Sequence, residues 1–216
     1  MIRKENRTYY FSVEGETEKW YLDWLQSTIN ANATANYTVK LDSVIQKNPL
    51  IRVKRLTCIG KTEITHIFDK ESEDDAHVKQ FQETLGRMKK AQNIGKEITY
   101  HIGYSNFTFE LWMILHMTDC NASLTHRSQY LKHLNCAYGE SFESLDQYKQ
   151  ENNFKRILKK LSLDQVRDAI SRSKQMMQRN ADDGFVLQQY KGYKYYKENP
   201  SLSLWNMIEK ILNECN

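Results

Sequence analysis

Carboxylates set beside glycine and after β-forming runs carry most of the chemical information in this sequence. One cluster is Val13-Glu14-Gly15-Glu16-Thr17-Glu18 and another is Phe68-Asp69-Lys70-Glu71. Each follows a β-branched and aromatic run and precedes a helix-like stretch. In an open α/β sheet such segments stand at the carboxyl ends of strands, where ligands bind. Carboxylates drawn there from separate loops repel one another unless a cation sits among them. Hard cations such as Mg²⁺ or Mn²⁺ take oxygen ligands of this kind. Glu14 and Glu18 are four apart, so with Gly15 allowing a sharp turn both can point over the strand tips. Asp69 and Glu71 are two apart, which puts both on one face of an extended segment. The set suits metal-dependent phosphodiester chemistry, in which an ion orients the phosphate and generates a hydroxide near neutral pH. A plainer role is open to Glu16, Glu18, Asp74 and Asp75, since acidic side chains at helix starts complement the helix dipole.

A third segment, Ser105-Asn106-Phe107-Thr108-Phe109-Glu110-Leu111-Trp112, follows a further strand-like run and so belongs at the same sheet edge. Glu110 is either a fifth metal ligand or a charge in the first turn of the next helix. Basic residues lie further on. Lys155, Arg156, Lys159 and Lys160 head a stretch that could track a phosphate backbone or simply form a solvated helix face. In Tyr190-Lys191-Gly192-Tyr193-Lys194-Tyr195-Tyr196-Lys197, aromatics alternate with lysines. Lys191, Tyr193 and Lys194 could stack bases and neutralise phosphates; the rival is core tyrosines with exposed lysines. His101 reads as a satisfied core histidine. No phosphate-binding Gly-x-x-x-x-Gly-Lys-[Ser/Thr] loop and no Gly-x-Ser-x-Gly elbow is present.

The elements that must position these groups follow from periodicity. Strands are expected at 8–13, 37–45, 63–68 and 98–102, and helices at 17–28, 50–59, 72–93 and 109–117. This β-α alternation calls for a mostly parallel sheet flanked by helices, with right-handed crossovers. Beyond about residue 120 the period is helical throughout, with helices at 128–136, 141–160 and 162–180 and a last one opened by Pro200. The expected organisation is an α/β core over 1–120 with a helical region, 121–216, packed on it.

The chain has 216 residues, 40% of them hydrophobic, and a net charge of +4 that neither demands nor excludes nucleic acid. The scattered cysteines, with no Cys-x-x-Cys pair, read as free thiols in a reducing compartment. The charged start lacks the apolar core of a signal peptide, and nothing is long and apolar enough to span a membrane. A cytoplasmic protein is expected, with association into a homo-oligomer left open.

Taken together, the three acidic segments, Tyr21, and Asn199-Pro200-Ser201 resemble the RloB-like family of bacterial phage-defence proteins. That family is similar to Toprim domains, the metal-binding fold of topoisomerases, primases and overcoming-lysogenisation-defect nucleases. The resemblance implies that Glu14 is the glutamate after the first strand, and that Asp69 opens the Asp-x-Asp pair. Glu71 replaces the second aspartate, and Glu18 takes the place of a further ligand found in the nuclease branch. Phe107 stands where the family usually has proline. The resemblance further implies an abortive-infection effector, controlled by an ATPase encoded alongside, that cleaves RNA such as tRNA or else DNA. Glu14 and Asp69 would be catalytic; Glu14, Glu18, Asp69, Glu71 and Glu110 would hold or support Mg²⁺ or Mn²⁺. The rival reading is a non-catalytic module that binds nucleic acid or docks on the ATPase. A nucleotidyl transferase, as primases are, would need a triphosphate-binding basic loop, which is not evident.

Overall fold

The structure, a computed structural model, describes residues 4–57 and 60–215. Its centre is a parallel sheet of β1 (Asn6–Val13), β2 (Thr38–Ile45), β3 (Thr62–Lys70) and β4 (Ile98–Asn106), in the order β2-β1-β3-β4. The strands are joined by α1 (Glu16–Ala31), α2 (Pro49–Arg55) and α3 (Asp75–Ala91). The all-parallel sheet flanked by helices is the expected α/β class and is consistent with a Toprim-like fold. The end of the expected 50–59 helix, with Cys58, lies outside the described residues.

A parallel sheet is buried on both faces, so its strands carry apolar residues on both. On one face Phe11, Val13 and Ile67 meet Tyr21, Leu22, Leu25 and Ile29, spaced to form the inner stripe of α1. On the other, Ile64, Phe68, Tyr100 and Tyr104 meet Phe81, Leu85 and Met88 of α3. The chain leaves β1 toward β2 and returns across it to β3. The crevice where this direction reverses lies between the carboxyl ends of β1 and β3.

After β4 come α4 (Glu110–Leu115), a 3₁₀ turn, α5 (Tyr130–Tyr138), α6 (Leu145–Tyr148), α7 (Glu151–Leu158) and α8 (Leu163–Asp182). These pack on the α1 face. Leu134, Phe154, Val166 and Ile170 join Phe11 and Tyr21 in one continuous core. Residues 121–216 are not helical throughout, however. Leu187–Tyr190 (β5) and Tyr193–Tyr196 (β6) form an antiparallel hairpin, turning through Lys191 (φ 53°) and Gly192 (φ 91°). The period-two alternation of buried Tyr193 and Tyr195 with exposed Lys194 is a strand signal. Pro200 does not open the last helix either; α9 (Trp205–Cys215) starts five residues later. Instead the extended segment before α9 covers the outer edge of β4. Asn106 N–H donates to Ser201 O at 2.8 Å, and Ser203 N–H to Tyr104 O at 2.9 Å.

β4 and β3 also run further than their sequence patterns suggest. Asp69 pairs in register with Ser105, and Lys70 with Asn106, so Asp69 lies inside a strand. Phe107 then takes φ 66°, a left-handed conformation closed to proline, whose ring fixes φ near −65°. The described cysteines, Cys120, Cys136 and Cys215, are free. Among the described residues no helix is long and apolar enough to cross a membrane.

Candidate active site

Glu14 follows β1, Glu18 lies in the first turn of α1, Asp69 is the last residue but one of β3, and Glu110 opens α4. The parallel sheet brings these carboxyl ends to one rim. Asp69 is partly exposed, whereas Glu18 is 6% exposed and Glu110 is fully buried. Burial, and then the charges of Glu18 and Glu110, hold the Asp69 carboxyl well above the ordinary carboxylate range. Glu18 is raised for the same first reason, with Thr17 Oγ1, which donates to it at 3.0 Å, working the other way. Burial pushes Glu14 up to about 7; Lys47 opposes this, and Glu18 and Glu71 add to it. These acids are mutually sensitive because they share one crevice in low dielectric.

Gly15 is needed here for space rather than for an unusual turn. Its φ of −143° is ordinary extended backbone. A Cβ at this position would stand 3.0 Å from Glu18 Oε2. The glycine therefore leaves the room in which the Glu18 carboxylate lies. Glu16, in contrast, is exposed, as are Asp74 and Asp75 at the start of α3, which fits their helix-start role.

Glu71 departs from the expected geometry. The strand ends at Lys70, so the alternation that would align Glu71 with Asp69 lapses. Glu71 instead stands 3.4 Å from His77 Nε2 of α3, on the rim's outer side, where it still shares a cleft with Glu14 and Asp69. Sequence reasoning missed two cations. Lys47, after β2, is close enough to lower the Glu14 pKa. Lys149, between α6 and α7, places Nζ 3.1 Å from Glu110 Oε1. Burial works against its ammonium, but Glu110, Asp69 and Glu18 outweigh this and hold its pKa above the ordinary value. Nothing in the local sequence marks Lys149, because the fold alone carries it to the rim.

The expected nucleic-acid residues divide. Arg156 and Lys160 are both engaged by Glu140, at 2.8 and 2.7 Å. Lys155 pairs with Glu151, and Lys159 is exposed. Tyr193 is no stacking platform. It is buried, and its hydroxyl accepts from Gln92 Nε2 at 2.9 Å. Gln92 caps the far end of α3, so the hairpin turn at Lys191 and Gly192 lies toward the amino end of the sheet, away from the rim, while Lys194 lies within β6 and lines a cleft with His101 and Ile102 of β4. His101 is not a core residue either; it is half-exposed and 3.3 Å from Glu63.

A comparison with known families covers nearly the whole chain. A family model described as RloB-like protein matches residues 9–211. The chain belongs to the RloB-like family. Among curated proteins and solved structures nothing matches it. The segment Asn199-Pro200-Ser201 is tied into the structure by hydrogen bonds. Asn199 accepts from Tyr130 OH at 2.8 Å and donates to Leu124 O at 2.9 Å, while Asn106 Nδ2 donates to Glu198 O at 2.7 Å. These bonds tie the tip of β4, and with it Glu110, to the helical region.

The donor set fits a hard divalent cation in kind. Four carboxylates crowd one rim with too little positive charge among them, and Gly15 preserves the cradle of one. Among the described residues, no three acidic, His or Cys side chains stand closely enough to enclose an ion. Mg²⁺ keeps several waters and takes only one or two carboxylates directly, so an open rim of this type suits it better than a closed cage suits Zn²⁺.

Proposed function

We propose that this chain is a metal-dependent nuclease, the effector of a bacterial anti-phage system, cleaving RNA such as tRNA or else DNA under the control of a partner ATPase. The defence setting and the ATPase rest on membership of the family. The chemistry rests on one observation: Glu14, Glu18, Asp69 and Glu110, from separate elements, converge at the switch point of the sheet with raised carboxyl pKa values at Glu14, Glu18 and Asp69.

Glu14, Glu18 and Asp69 would hold Mg²⁺ or Mn²⁺. Once bound, the ion would polarise the scissile phosphate and lower the pKa of its water. Glu14 suits proton transfer, since a carboxyl titrating near 7 can take a proton from water and return it to a leaving oxygen at working pH. Lys47 and Lys149 offer positive charge toward a phosphate. Exposed Lys155 on α7, which begins two residues after Lys149, and Lys159 just after that helix offer contacts further along a strand.

The test is incubation of the purified protein with RNA and DNA in Mn²⁺ or Mg²⁺. Cleavage is expected, and Glu14→Ala and Asp69→Ala should each abolish it while circular dichroism stays unchanged. Undiminished cleavage in both variants overturns the assignment. The openness of the rim favours a second reading, a non-catalytic docking module. Tight partner binding with no turnover in any metal, even after release from the ATPase, would select it.

A further inference from the structure

The gap beside Glu14, Asp69 and His77 is too small for a nucleobase. It measures about 10 Å³, room for one water. On the same carboxyl side of the sheet, beyond the end of β4, lies a cleft of about 450 Å³, within the range of about 300–1,000 Å³ typical of ligand pockets. Its walls are the loops after β3, β4 and β6 and the segment before the 3₁₀ turn. The clefts lined by Glu63 lie instead at the amino end of β3.

The cleft adjoins the rim. Asp69 pairs with Ser105 and Lys70 with Asn106. Asn106, in the cleft wall, therefore stands one residue on and one strand across from Asp69, at the spacing of about 4.8 Å between neighbouring strands. Tyr130 OH donates to Asn199 Oδ1 of the same wall at 2.8 Å. Burial raises the Tyr130 pKa, and Cys120, Asp69 and Glu110 add to this, so the ring lies within electrostatic reach of the rim acids.

Asn106 gives the cleft a fixed acceptor. The residue is 1% exposed. Its Nδ2 donates to Glu198 O at 2.7 Å and to Lys197 O at 3.1 Å. Carbonyl oxygens only accept, so the amide is held one way round. No side chain or backbone group among the described residues donates to its Oδ1, and the residue lines the cleft. A buried amide oxygen without a donor calls for one from a ligand. Charge in the cleft is close to balance. Glu73 is paired with Lys70, which leaves Asp74 and Glu198 facing Lys197 and His126. Phe107 and Leu124 add apolar surface. Such a lining suits the edge of a base better than a phosphate, and the amino groups of cytosine, adenine and guanine are the donors it lacks.

We propose that this cleft holds a nucleobase of the substrate strand beside the scissile phosphate and selects bases that carry an exocyclic amino group, with Asn106 Oδ1 accepting from that group. This rests on the nuclease reading above and names what the site selects in its substrate. Asn106 is then a specificity-determining residue with no part in the bond-breaking step.

Fluorescence anisotropy of labelled ten-nucleotide strands on the intact chain, at pH 8 in EDTA, tests this without reference to cleavage. Cytosine and uracil have the same ring, so all-cytidine and all-uridine RNA, and all-dC and all-dT DNA, compare the amino group with an oxygen. The wild type should bind the cytosine strand about ten-fold more tightly than its uracil or thymine counterpart, in RNA, in DNA or in both. Ser123→Trp fills the cleft from an exposed position, and should bring that ratio within about two-fold of one; Thr125→Trp does the same should the first variant fail to fold. Cytidine monophosphate should compete about 100-fold more weakly than the strand. Equal affinity for both bases in the wild type, a ratio unchanged in a folded filled variant, or competition by the mononucleotide as strong as by the strand would each overturn the assignment and leave the nuclease reading to its own cleavage test. No affinity for any strand would end both.

Discussion

Two clusters of charge in this molecule use the same residue types in opposite proportions. At Glu140 one carboxylate meets two cations, Arg156 and Lys160, and their hydrogen bonds hold its pKa below the ordinary range. At the rim, four carboxylates face Lys149 inside and Lys47 at the margin, and burial drives Glu14, Glu18 and Asp69 upward. The first cluster is complete by itself and ties the start of the α5–α6 connection to α7. The second is a like-charge cluster that the fold holds together at a cost, the arrangement expected where a site is made for something else to bind. A count of charges along the sequence ranks them the other way, because it sees a basic run at 155–160 and isolated acids elsewhere.

The largest effects should separate the clusters by sign. Asp69→Asn should reduce Mn²⁺-dependent cleavage by more than about 100-fold, the upper range for losing even an outer partner of a metal site. In metal-free protein it should also raise Tm by a few degrees, each 1 kcal/mol of relieved repulsion being worth about 2–4 °C in a chain of this size. Glu140→Gln should do the reverse. It should leave cleavage intact and lower Tm by about 1–3 °C, since partly exposed ion pairs contribute up to about 1 kcal/mol each. A drop in Tm for both variants would remove the distinction.

The pH dependence sharpens it. Glu14 titrates near 7 in the folded chain against an ordinary value of 4.5, so between those values the native state holds a proton that the unfolded state has released. Stability of the metal-free protein should therefore fall as pH rises from about 5 to 7.5 and then level off. Mn²⁺ competes with that proton, so the rise in Tm it causes should be larger at pH 8 than at pH 5.5. Glu140, with its lowered pKa, contributes stability that is present above the ordinary carboxylate value and lost only in more acidic solution. Thermal melts from pH 4 to 8, with and without Mn²⁺, read both windows. A Tm gain independent of pH would place the ion elsewhere.

How much of this was legible differs by element. The β-α alternation, Glu14 at the end of β1 and Asp69 at the tip of β3 were readable because strand and helix periods are local, and a parallel sheet puts all carboxyl ends together. The hairpin at Leu187–Tyr196 was also written locally, as alternating tyrosine and lysine, but the helical pattern around it hid a period of two. Lys149 was not readable. Its role depends on α6 and α7 folding back across the rim to meet Glu110, thirty-nine residues earlier, and no local pattern encodes that meeting. The placing of Glu71 was legible only in part: it shares a cleft with Glu14 and Asp69, but the two-residue rule holds only while the strand continues, and the strand stops at Lys70.

Gly15→Ala should give an effect confined to the rim. The backbone there is extended and accepts alanine, but the new Cβ meets Glu18 Oε2 at 3.0 Å. The carboxylate must shift, so Mn²⁺ affinity should fall by about ten-fold, equal to about 1.4 kcal/mol, with Tm of the metal-free protein changed little. Titration of Mn²⁺ against both proteins measures this. Unchanged affinity would show that Glu18 is not a ligand.

The smallest effect belongs to the far end of the sheet, and it tests whether the hairpin lysines serve the rim at all. Lys191 occupies the first position of a two-residue turn at φ 53°, with Gly192 at φ 91° after it. Both values belong to the left-handed region, and hairpin turns of this type favour Asn-Gly. Lys191→Asn removes one positive charge and relieves a conformation that lysine adopts poorly. If the lysine only closes the hairpin, the variant should be more stable by about 0.5 kcal/mol, a gain of about 1–2 °C in Tm, with cleavage and its salt dependence unaltered. If the lysine holds a phosphate, affinity for nucleic acid should fall and the slope of log affinity against log salt should decrease by about one. The burial of Tyr193 and the place of the turn beside the far end of α3 favour the first outcome, because a strand of nucleic acid gripped at the turn would have no aromatic surface there to stack on.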